Sequence, residues 1–128
     1  MDEIYIDDGV FYLNRNAAVE IAKMNLKGRQ YSILFNLFSQ LKNDNYLFVD
    51  EKNIAQKLQI KISDVSTAMK VFQEKNIIAD VGRQDIKIYL MNPDIAFKGS
   101  DREKVVKNFK TLLAEKEKNF LDADIRTD

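Results

Sequence analysis

Residues 50–91 constrain the fold more than any other stretch of the chain. Asp50 is a good N-cap for a helix over residues 51–58, whose Ile54, Ala55 and Leu58 make a buried side. Gln59-Ile-Lys61 then leaves room only for a tight turn, with Ile60 plugging the corner. A second helical pattern follows over residues 62–76. Ile62, Val65, Met69 and Phe72 recur at spacings of three, four and three, which predicts one buried face. Residues 77–81 and 86–91 are rich in β-branched side chains, and Gly82-Arg-Gln-Asp85 joins them as a polar turn. That pattern predicts a two-stranded hairpin, stopped by Asn92-Pro93.

The flanking segments supply a core for this unit. Ile4-Tyr-Ile6 and Val10-Phe-Tyr-Leu13 bracket Asp7-Asp-Gly9, which predicts an N-terminal β-hairpin. A short helix is expected over residues 17–24. A stronger one is expected over residues 29–42, where Tyr31, Leu34, Phe35, Leu37, Phe38 and Leu41 span more than one face. A helix that apolar belongs at the centre of a core or in a dimer interface. Residues 46–49 read as a short strand. Ser100-Asp-Arg-Glu103 reads as a capping box opening a last helix to about residue 119. Its stripe is Val105, Val106, Phe109, Leu112, Leu113 and Phe120. The expected class is mainly α with small β. The expected organisation is a main domain over residues 1–99, a C-terminal helix over 100–121 that folds back on its own domain or, as a two-fold DNA site favours, pairs with a second copy, and a frayed tail over 122–128.

Composition narrows the chemistry. The chain of 128 residues suits one domain with a real core. It has no His and no Cys. Imidazole bases, His-held metals, thiolate sites and disulfides are therefore excluded. The four glycines are scattered singly, so no phosphate-cradling loop is present. No catalytic site, metal site or cofactor is expected. No apolar run approaches a membrane span, and Met1-Asp-Glu is acidic where a signal peptide would be basic, so a cytoplasmic protein is expected. Formal net charge is zero, which counts against nucleic-acid binding. The distribution softens the objection: residues 29–99 carry ten basic and eight acidic side chains.

The order helix, strand, helix, helix, hairpin over residues 29–91 is that of a winged helix-turn-helix. In such an arrangement the second helix of the pair enters the major groove, the first braces it, and the wing reaches phosphates or a minor groove. Ser63, Ser66, Thr67 and Lys70 lie off the apolar face of the second helix and suit base edges or phosphates. Arg83 at the wing tip suits bidentate phosphate contact, with Gln84 and Lys87 assisting. Lys52, Lys57 and Lys61 are candidate phosphate clamps around the helix pair. Each of these types also has a plain use, the hydroxyls as exposed helix or cap groups and the lysines as solvated charge.

From about residue 26 to 105 the chain resembles the RepL-type plasmid replication proteins. The matching features are Asn53-Ile-Ala-Gln-Lys-Leu58, Val65-Ser-Thr-Ala-Met69, Lys75-Asn-Ile-Ile78, Tyr89-Leu-Met-Asn-Pro93 and Phe97-Lys-Gly99. The first three are generic to winged helices; the last two are more telling. Two positions depart from the usual pattern. Lys61 replaces a small hydroxyl at the start of the second helix, and Asp64 stands where a neutral hydroxyl is common. A carboxylate there favours a cytosine amino group or indirect readout. The resemblance implies an origin-binding initiator that recruits host replication proteins. The expected partner is double-stranded DNA, met by a homodimer because a two-fold site wants one. A winged-helix transcriptional regulator and a winged-helix protein-interaction module remain open beside it.

Overall fold

The centre of the molecule is the helix that carries apolar side chains on more than one face. In the computed structural model, which describes residues 9–82 and 85–119 and the backbone of 120–125, that helix is α2 (Gly28–Ser39), preceded by β1 (Tyr12–Leu13) and α1 (Arg15–Lys23). Ile33, Leu34, Leu37 and Phe38 of α2 are buried, while Phe35 is 63% exposed. Tyr31 is half-buried and donates from its hydroxyl to the Ile21 carbonyl, locking α1 to α2. A single 3-10 turn (Asn43–Asn45) reverses the chain, with Asp44 and Asn45 both at positive φ. Those are the residue types that tolerate the left-handed region best after glycine. Their turn ends α2 short of residue 42.

Then come β2 (Tyr46–Phe48), α3 (Glu51–Leu58), α4 (Ile62–Glu74), β3 (Ile78–Asp80), β4 (Ile88–Met91), β5 (Ala96–Phe97) and α5 (Arg102–Ile125). Strands β2, β4 and β3 form an antiparallel sheet in that order. Tyr46 faces Leu90, Ala79 faces Leu90 and Ile78 faces Met91. The period of two sorts the sheet's side chains cleanly. Leu47, Ile78, Tyr89 and Met91 join the main core under α2, α3 and α4. Ala79 and Leu90 point the other way and are covered by Val105 and Phe109 of α5. The helix-turn-helix with its winged sheet is therefore the fold, as the element order predicts.

Several details differ from the sequence reading. Val10–Leu13 was expected to close an N-terminal hairpin. Tyr12–Leu13 pairs with Ala96–Phe97, a partner the sequence does not signal; the expected partner strand at residues 4–6 lies outside the described residues. Ile62 was expected in the core and is 49% exposed. The buried row of α4 is Val65, Ala68, Met69 and Phe72, which starts one turn later. Asp101, not Ser100, caps α5, its carboxylate accepting from the Lys104 amide at 3.1 Å. The first half of α5 packs on its own sheet, and the helix runs on to Ile125 through part of the segment expected to fray.

Candidate nucleic-acid interface

The two helices of the motif are set by their ends. Asp50 caps α3, its carboxylate accepting from the Asn53 amide at 3.1 Å. At the other end Gln59 is left-handed, and the Ile60 amide returns to the Ala55 carbonyl at 3.0 Å. This is the Schellman geometry, completed by Ile60 packing on the core. The end of α4 repeats it. Asn76 is left-handed, and the Ile77 amide reaches the Phe72 carbonyl at 2.8 Å. One such turn aims α4, and the other delivers the chain into β3.

The buried row of α4 leaves Ile62, Ser63, Thr67 and Lys70 exposed, with Lys61 at its N-cap. The Thr67 hydroxyl donates to the Ser63 carbonyl at 2.9 Å, so its oxygen remains an acceptor. Lys52 and Lys57 are exposed at the two ends of α3. Asp64 lies in the first turn of α4, where a negative charge suits the helix dipole. Its carboxylate is bound by the Arg29 guanidinium at 2.7 Å. The Asp64 carboxylate, expected to favour a cytosine amino group or indirect readout, is thus paired from the start of α2. A shallow groove lined by Lys27, Gly28, Arg29, Gln30, Asp64 and Thr67 runs beside it.

Ser66 and Lys87 occupy different ground. The Ser66 hydroxyl donates to one Glu51 carboxylate oxygen at 2.5 Å. The Lys87 ammonium donates to the other oxygen. Burial pushes the Glu51 carboxyl up, but the bonds from Lys87 and Ser66 and the charges of Lys87 and Lys70 outweigh it, and the group lies below its ordinary value. Arg83 and Gln84 lie outside the described residues. Gly82 and Asp85 on either side of them are exposed.

Sequence reasoning missed Arg29 and Glu51. Arg29 sits 35 positions from its partner and Glu51 sits 15 and 36 from its own. Glu51 in isolation reads as a first-turn acid favoured by a helix dipole, and no local spacing marks its distant partners. Among the described residues no cluster of carboxylates could hold a metal, and no helix is long and apolar enough to cross a membrane.

Comparison with known proteins gives one family. The model described as "Firmicute plasmid replication protein (RepL)" matches residues 1–128. No curated protein matches. Among solved structures, a mutant of MepR from S. aureus aligns at 21% identity over 84% of this chain and 70% of its own, with a TM-score of 0.42.

Proposed function

This chain belongs to the RepL family of Firmicute plasmid replication proteins, and from that membership we propose that it binds specific double-stranded DNA to initiate or control replication of a plasmid. The observation that carries the reading is the exposed row Ser63, Thr67 and Lys70 on α4, with Lys61 at its start and a buried apolar row behind it. A helix braced in this way enters a major groove with hydroxyls for base edges and ammonium groups for phosphates. Exposed Ile62 adds an apolar contact of the kind that suits a thymine methyl. Lys52 and Lys57 on α3 supply flanking contacts, as do Arg83 and Gln84, which lie between β3 and β4 in the sequence. Ser66 and Lys87 stand apart from this row, both engaged by Glu51.

The mechanism is binding. The protein marks a site, and host replication proteins assemble there. A two-fold site is met by a homodimer, with half-sites about one helical turn apart. A footprint on the DNA flanking the gene tests the reading. A discrete protected site is expected, together with loss of the replicon when Thr67 and Lys70 are both replaced by Ala. Protection confined to a promoter, with the replicon retained, would instead make the protein a transcriptional regulator.

A further inference from the structure

Glu51 joins three elements that the DNA-binding reading requires to act together. It lies in the first turn of α3 with its side chain 9% exposed. Through Ser66 it holds α4, and through Lys87 it holds the arm of the wing that leads into β4. Lys87 is fixed at its other end as well, its carbonyl accepting from the Val49 amide at 2.9 Å. Desolvation offsets part of the attraction in such a pair, so stability alone does not account for its placement. What the arrangement does provide is a fixed relation between the groove-entering helix and the wing.

We propose that Glu51 is a positioning residue for DNA binding, and that Ser66 and Lys87 act on DNA through it and not by contact. The inference rests on the DNA-binding reading above. The geometry favours it over direct contact by both residues. The Ser66 hydroxyl has one proton, and that proton is committed to Glu51. If Lys87 turned to a phosphate, a buried carboxylate would lose its counter-charge, an arrangement that is strongly unfavourable. Thr67 spends its proton on a carbonyl of its own helix, but it is exposed with its oxygen left to accept, whereas Ser66 is half-buried; Thr67 and the exposed Lys70 remain the reading groups.

Two measurements on the full chain test this. The first is the affinity for flanking duplex DNA, by fluorescence anisotropy, of Ser66→Ala, Lys87→Met, Glu51→Gln and their pairwise combinations. Each single change is expected to weaken binding about tenfold, and the doubles should be no weaker than Glu51→Gln alone. Additive losses, or a salt slope lowered by about 0.9 in Lys87→Met, would mean direct contact and overturn the inference. If Glu51→Gln fails to fold by circular dichroism, the Ser66→Ala/Lys87→Met double serves, and its losses should be less than additive. The second measurement separates positioning from general stability. The chain has no Cys, so spin labels on Asp85→Cys and Glu74→Cys report the wing-to-helix distance alone. A narrow distribution should broaden in Ser66→Ala and Lys87→Met well below their melting temperatures; unchanged narrow distributions overturn the proposal. If the unaltered protein shows no salt-dependent binding to duplex DNA, the DNA reading fails and the inference falls with it. Tight binding by that protein with additive losses sinks the inference alone.

Discussion

Asn45 is fully buried and makes three hydrogen bonds that hold distant segments together. Its amide nitrogen donates to the Met91 and Ala96 carbonyls at 3.0 and 2.8 Å, and its carbonyl oxygen accepts from the Lys98 amide at 2.8 Å. Beside it Gly99 has φ +148, and a Cβ there would stand 3.1 Å from the Asp44 amide nitrogen. The Phe97-Lys98-Gly99 segment that carried the family resemblance therefore has a structural reason. It seals the turn before β2 against the strand that pairs with β1. Asn45→Asp turns two donors into an acceptor facing carbonyls and should lower stability by about 2–4 kcal/mol, read from urea unfolding. Glu51 gives a pH signature. Its folded pKa lies below the ordinary 4.5, so its contribution is complete above that pH and is lost as pH falls through the folded value. Glu51→Gln should flatten the fall of the urea midpoint below pH 4.5; an unchanged pH profile would remove the carboxylate from the balance. Neither residue announced itself in the sequence. A buried Asn in an Asn-Asp-Asn run looks like a helix stop, because its partners lie 46 to 53 positions away.

At the scale of elements, legibility followed periodicity and capping. The Asp50 cap, the helix of residues 51–58 and the Ile60 plug were readable because each signal is contained within a few residues. The face of α4 was readable except at Ile62, because periodicity says which residues align and not where the covering elements end. The apolar stripe of α5 was readable, but its periodicity left two partners open, its own domain or a second copy. Val105 and Phe109 meet Ala79 and Leu90 on the sheet, with Phe97, Leu112 and Leu113 packed around them. Four residues of the stripe, Val105, Phe109, Leu112 and Leu113, thus pack within one chain. Phe109→Ala should destabilise by about 3–5 kcal/mol, the loss typical of a buried aromatic. A loss below about 1 kcal/mol in thermal or urea unfolding would mean that α5 leaves the sheet in solution.

At the scale of the molecule, zero net charge and a DNA-binding role are compatible only if charge is sorted. The described surface shows how this begins. Asp64 is held by Arg29, Asp94 by Arg102, and Glu51 by Lys87. Lys52, Lys57, Lys61 and Lys70 make no ion pair among the described residues, and all four sit on α3, α4 or the turn between them. Few phosphate contacts should then give a modest salt dependence, with a slope of log K against log salt of about −3 to −5. The most direct test is the affinity of the unaltered protein and of Thr67→Ala/Lys70→Ala, by fluorescence anisotropy, for duplex DNA flanking the gene and for unrelated duplex. The unaltered protein should prefer the flanking duplex by at least about a thousandfold, and the double variant should lose most of that preference while keeping its fold. Equal affinity for both duplexes, or a preference untouched by the double substitution, would contradict a reading made by the exposed face of α4.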